Sequence, residues 1–199
     1  MARNKELNQK MKDERREQIL STALKLFATK GLAATKISDI ATTSGISQGL
    51  LYHYYRSKEE IFVELIRRAF ERMNTAVLAL EQMTETPRNK IKMAIEKLLE
   101  GFEKNENAAR YHLLIVQAMV SEAVPDEAKA IFKKENDVKY EAIARILKEG
   151  QKDGTIKNHD ANELSLVFWT SINGLAIYNA VHGKRFKAPD PELLLDMFV

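Results

Sequence analysis

The stretch from Gly31 to Phe62, "GLAATKISDIATTSGISQGLLYHYYRSKEEIF", decides how the chain is read. Within it Ala41, Gly45 and Leu51 have the spacing of two short helices that cross through a sharp turn. A small side chain stands where the helices touch, a glycine suits positive φ in the turn, and an apolar residue closes a miniature core with Ile40 and Ile46. Ser47 is a natural N-cap for the second of these helices. Ser57 with Glu60 forms an S-x-x-E capping box for the helix that follows.

Outward from this point, apolar residues return at spacings of three and four, and no alternating run bounded by turn residues appears. The pattern predicts an all-α chain. A first helix runs from about Asp13 to Gly31, burying Ile19, Ala23, Leu24 and Phe27; a second follows Thr35; a third starts at Ser47. The fourth is long, with Ile61, Leu65, Phe70, Met73, Val77 and Leu80 on one face as far as about Met83. Start signals at Pro87, Pro125 with Asp126, Asp160 with Glu163, and Asp190 with Pro191 place further helices at about 87–104, 108–122, 126–152, 160–182 and 190–199. The total is about nine. A functional boundary falls near residue 58, dividing the chain into 1–58 and 59–199.

Charge supports that division. Residues 1–58 hold eleven Lys or Arg against five Asp or Glu, whereas residues 59–199 hold twenty against twenty-three. A basic end on a mildly acidic body fits an anionic partner at that end. The absence of cysteine removes disulfides, thiol nucleophiles and thiolate metal sites. The basic N-terminus leads into no apolar signal segment, so a cytoplasmic location is expected. Histidines 53, 112, 159 and 182 lie far apart, without H-x-x-x-H spacing, and no phosphate loop or nucleophile elbow is present. No enzyme, metal or cofactor is expected.

The quoted stretch resembles the DNA-binding domain of the TetR family of bacterial transcriptional regulators. Ile40, Ala41, Gly45, Ile46, Ser47, Gly49, Leu51 and Tyr52 carry the resemblance, continued by Ser57, Lys58, Glu59, Glu60 and Ile61. It implies an all-helical homodimer with an N-terminal three-helix helix-turn-helix domain and a larger helical domain for ligand binding and dimerisation. The helix from Gln48 to Tyr54 then enters the major groove of double-stranded DNA at a palindromic operator. Tyr52 and Lys58 match phosphate contacts, Thr35 and Lys36 are further phosphate candidates, and Ser38 sits at a base-reading position. Physical chemistry points the same way: Ser47 and the free amides after it suit a phosphate or base edge, Gln48 can pair with adenine, and Gly49 permits close approach. His53 and Tyr54 are groove-facing candidates, and Tyr55 takes the place of a packing phenylalanine.

The resemblance further implies a ligand pocket between the helices after the fourth. Its candidate walls are Met93, Phe102, Tyr111, His112, Ile115, Met119, Phe132, Tyr140, Phe168 and Trp169, which suit a largely apolar small-molecule effector. Leu164 to Gly183 carries no formal charge and has the length of a bilayer span. Its scattered polar residues and acidic start favour instead a helix covered partly by its own subunit and partly by a second copy. Phe168, Ser171, Gly174, Leu175, Tyr178, Leu194 and Phe198 are the expected dimer contacts, with no membrane partner. The function read from all this is a repressor released from DNA by its effector. An activator or a DNA-binding protein without a ligand is the alternative, and an enzyme or a purely structural helical dimer stands further off.

Overall fold

A computed structural model describes residues 2–199. The described residues form nine α-helices: α1 Ala2–Ala34, α2 Ile37–Thr43, α3 Gln48–Tyr52, α4 Lys58–Glu81, α5 Pro87–Lys104, α6 Glu106–Val120, α7 Asp126–Lys152, α8 Ala161–His182 and α9 Pro191–Leu195, with one 3-10 turn at Gly183–Arg185. Most starts follow the capping residues expected. Ser57, Thr86 and Asp160 each accept a backbone N–H in the first turn of the helix that follows.

Two helices differ from expectation. The first begins at Ala2 rather than near Asp13, because residues 2–12 contain no glycine or proline and are rich in good helix formers. Leu7 and Met11 are exposed there, so propensity rather than an apolar stripe extends the helix. Near its other end Gly31 breaks the helical path with φ 79° and ψ 164°. The last helix is only five residues long; tight turns follow it, and the Phe198 carbonyl accepts the Lys157 N–H at 2.8 Å.

Packing gives two apolar cores. The first gathers α1, α2, α3 and the head of α4, but Leu114, Ile115 and Ala118 of α6 and Ala128 of α7 also enter it. The second joins the tail of α4 to α5, α7, α8 and the C-terminal residues through Ile95, Ile146, Phe168, Leu195 and Phe198. Met73 of α4 touches both. One rigid helix of about 36 Å, at 1.5 Å per residue, therefore crosses from one core to the other.

The segment Ala161–Arg185 is long and apolar enough to cross a membrane by length and composition, with mean hydropathy 1.3. One stripe of it, Leu164, Phe168, Trp169, Ile172 and Ala176, is buried in the second core. The turn before it closes on Gly150, whose carbonyl accepts the N–H groups of Thr155 and Ile156 at 2.9 and 3.0 Å. A methyl group on Gly150 would run into Ile156 Cγ1 and lie 3.0 Å from Pro87 Cβ. Gly150→Ala is therefore expected to destabilise the chain by about 1–3 kcal/mol, read from urea unfolding midpoints.

Candidate nucleic-acid interface and effector cavity

Backbone geometry builds the turn between α2 and α3 from Gly45, at φ 66°. Its N–H reaches the Thr42 carbonyl at 3.0 Å, and the Ile46 N–H reaches Ala41 at 3.1 Å. This paired closure ends α2 and brings Ile46 back onto the small core. Ser47 Oγ then accepts the Leu50 N–H at 3.1 Å and starts α3. Leu51 and Tyr55 are fully buried, so the opposite face must point outward. That face presents Ser47, Gln48, Gly49, Leu50, Tyr52 and His53, all exposed. Gln48 Nε2 lies 3.4 Å from the Tyr52 hydroxyl, so the two polar side chains run along one edge of the helix.

Other sequence-predicted positions divide. Lys36 is exposed and Ser38 half-buried, while Tyr54 is half-buried against the first core. Thr35 is corrected: it is fully buried, and its hydroxyl donates to the Gly31 carbonyl at 2.8 Å, closing the broken end of α1. Lys58 is corrected as a cation free for phosphate. Its ammonium donates to the carbonyls of Leu32, Ala33 and Thr35 at 2.8, 3.3 and 2.8 Å, which uses all three of its donors.

A cavity of about 630 Å³ opens between α4, α5, α6 and α8. Of the expected walls, Met93, Tyr111, His112, Phe168 and Trp169 line it. Five others do not. Phe102 stands edge-on behind His112, Tyr140 behind Trp169, and Phe132 packs edge-on against Phe70. Ile115 belongs to the first core, and Met119 is exposed near the end of α6. Sequence reasoning missed the α4 wall, Arg72, Met73, Val77, Leu80 and Met83, along with Lys97 of α5. Met73, Val77 and Leu80 lie on a helical stripe that looks like ordinary core, and Met83 follows just beyond the end of α4. Among the described residues no Asp or Glu lines the cavity.

Two buried bases stand at its inner side. His112 Nδ1 lies 3.1 Å from Asn173 Oδ1, and burial pushes the imidazole down to about 4, so it is neutral near pH 7. Lys139 is buried behind Trp169, 5.3 Å from the Phe70 ring centroid, 5.1 Å from Tyr140 and 5.6 Å from Trp169. Its one hydrogen bond goes to Asn136 Oδ1 at 3.3 Å, and burial pushes the amine down to about 8.

The expected dimer residues also divide. Phe168, Leu194 and Phe198 are corrected: they are buried inside the second core of their own chain. Gly174 and Tyr178 are exposed, Ser171 and Leu175 half-buried. Leu166, Val167, Ile177 and Val181 extend this outer face, spaced so that α8 carries a second, uncovered apolar stripe opposite its buried one.

Comparison with known proteins places this geometry. The description "Bacterial regulatory proteins, tetR family" matches residues 19–65, the span that holds the turn, α3 and the head of α4. The chain thus carries a segment that matches the tetR family. The HTH-type transcriptional repressor KstR2 of Rhodococcus jostii is 28% identical over 157 residues, covering 79% of this chain and 75% of that protein. Other relatives match over shorter spans, one of them over 38% of its length. The ketosteroid transcriptional regulator KstR2 of Mycobacterium tuberculosis superposes with a TM-score of 0.76 at 20% identity, over 93% of this chain and 95% of that one. The regulator FadR from Bacillus subtilis, solved in complex with stearoyl-CoA, gives 0.68 at 18% identity over 91% and 96%. At these identities the structures establish the shared fold.

The helix-turn-helix region is fastened to α4 at a second place. Tyr55 OH donates to Glu64 Oε2 at 3.1 Å; Arg16 of α1 donates to Tyr55 at 3.1 Å and to the same carboxylate at 2.6 Å; Arg68 pairs with its other oxygen at 2.8 Å. Burial pushes the Glu64 carboxyl up, but the bonds from Arg16 and Tyr55 outweigh it and leave the group below its usual value. Nothing in the spacing of these residues announced the network, which joins positions 39 and 48 apart in sequence.

Two outcomes follow. Lys58→Met should lower stability by on the order of 2 kcal/mol in chemical denaturation, since three carbonyls lose a charged donor. Lys139 titrates lower when folded than its ordinary 10.5, so its burial cost is full below pH 8 and fades as pH rises towards 10.5. Lys139→Met should therefore stabilise the chain by on the order of 2 kcal/mol at pH 7, with the gain over the parent shrinking between pH 8 and 10.5. Thermal unfolding across that range checks both the sign and the window.

Proposed function

We propose that the chain is a homodimeric repressor that grips a palindromic operator and is released by a largely apolar effector. The observation that carries this reading is the outward face of α3. Ser47, Gln48, Gly49, Tyr52 and His53 are exposed together on a helix whose other side is locked by Leu51 and Tyr55. A helix N-terminus with a glycine and a bidentate amide suits a major groove, where Gln48 pairs with adenine. Tyr52 and the exposed Lys36 then meet phosphates, and Ser38 and Tyr54 lie at the edge of the contact. Lys58 serves this surface indirectly, by fixing the junction between α1 and α2.

The division of labour at residue 58 is one of roles, since α6 residues complete the core beneath the DNA-binding helices. The apolar outer stripe of α8, centred on Gly174 and Tyr178, is the dimer face in this reading. A two-fold axis there presents two α3 helices to two half-sites. The cavity takes the effector, a reading supported by its apolar walls and by a neighbour of the same fold that holds stearoyl-CoA. Repressor rather than activator is the sign carried by the name of the KstR2 relative. The protein acts in the cytoplasm, where the operator is.

Selection of bound sequences from random duplexes should return a palindrome. Gln48→Ala should then cost about 1–3 kcal/mol on the selected site and relax one base position in each half. An unchanged preference in a second selection removes Gln48 from the reading surface. A non-palindromic site would sink the dimeric mode.

A further inference from the structure

The inner end of the cavity carries an acceptor with nothing to accept. His112 is 5% exposed and lines the cavity, and its ring is held from two sides: Nδ1 against Asn173 Oδ1 at 3.1 Å, and the Phe102 ring edge-on at 5.3 Å. Because the imidazole is neutral, only one nitrogen carries hydrogen. The Asn173 oxygen claims that hydrogen for Nδ1, which leaves Nε2 as a lone pair. Nε2 has no hydrogen-bond partner among the described residues. Of the cavity walls, Ile143 and Phe168 carry no donor and the Trp169 N–H is already given to the Lys139 carbonyl at 3.1 Å; Arg72, Lys97, Asn105 and Tyr111 supply the other donors of the lining, and none of them bonds to Nε2. An unmatched acceptor in an apolar pocket is costly unless the guest supplies the donor.

We propose that the cavity selects an apolar guest bearing a hydroxyl, or an equivalent N–H, which donates to His112 Nε2 at the inner end. This rests on reading the cavity as the effector site and adds what the effector must carry. Such a site rejects the same skeleton with the donor removed or replaced by an acceptor, because then two lone pairs face each other. Asn173 is the positioning residue: it fixes the tautomer that makes His112 an acceptor rather than a donor.

Matched rigid probes test this on the full chain by titration calorimetry: 1-adamantanol, its methyl ether 1-methoxyadamantane, and 2-adamantanone. The alcohol should bind about tenfold more tightly than either acceptor-only probe. His112→Phe should bring the three affinities together, while His112→Gln, whose amide oxygen can accept, keeps part of the difference. If His112→Phe does not give a folded circular dichroism spectrum, Asn173→Leu takes its place and should likewise shrink the ratio. Equal affinities in the parent protein, a preference for the ketone, or no binding of any probe overturns the proposal. Operator release is measured separately. Hydroxyl preference without release leaves the site intact and refutes the effector reading; release by a cell extract together with equal probe affinities does the reverse.

Discussion

One ammonium group holds the architecture at its narrowest point. Where α1 breaks at Gly31, the carbonyls of Leu32, Ala33 and Thr35 converge on the Lys58 ammonium, which bonds to all three; of these only Leu32 also takes a backbone N–H there, from Thr35 at 3.4 Å. Unpaired carbonyls at a half-buried junction are expensive, so the charge is strongly placed. Because Lys58 opens α4, the contact fixes the long helix to the junction that precedes α2. The cluster of Arg16, Tyr55, Glu64 and Arg68 fixes it again about two turns on. Two attachments along one rigid helix define an orientation, whereas a single one would leave a hinge.

From this follows the route by which the cavity reaches the DNA-binding helices. The far half of α4 lines the cavity with Arg72, Met73, Val77 and Leu80, and its near half carries the attachments just described. On the other side, α6 supplies Tyr111 and His112 to the cavity while gripping α1, with Gln117 donating to the Ala28 carbonyl at 3.0 Å. A guest that spreads α4 from α6 therefore acts on both supports of α3. If DNA and guest favour different spacings, each weakens the other by the same factor.

The sequence made helix boundaries legible because caps, prolines and glycines act locally: α2, α4, α5, α7 and α8 start within a residue or so of their signals. The turn around Gly45 and the inward face of Leu51 were legible for the same reason. Partners distant in the chain were not. Residue type cannot say which side of an apolar helix meets its own core, so Phe168, Leu194 and Phe198 looked as suited to a dimer face as Tyr178. Lys58 did carry a signal of its own: a cation in the first turn of a helix opposes the macrodipole, and needs a compensating partner nearby.

Polarity around the cavity follows from what the core could bury. Lys139 has no carboxylate within ion-pair distance among the described residues, and three aromatic rings stand in for one. Its charge lies behind Trp169 and opposes protonation of His112, on top of the larger effect of burial. The inner wall is thus held positive in potential yet neutral at the imidazole, and Arg72 and Lys97 stand at the exposed edge without an acidic residue in the lining. A cationic guest finds no counter-charge anywhere along this path. A neutral or anionic one does not meet that barrier, so Lys139, though it costs stability, confers selectivity on a cavity whose walls are otherwise only apolar.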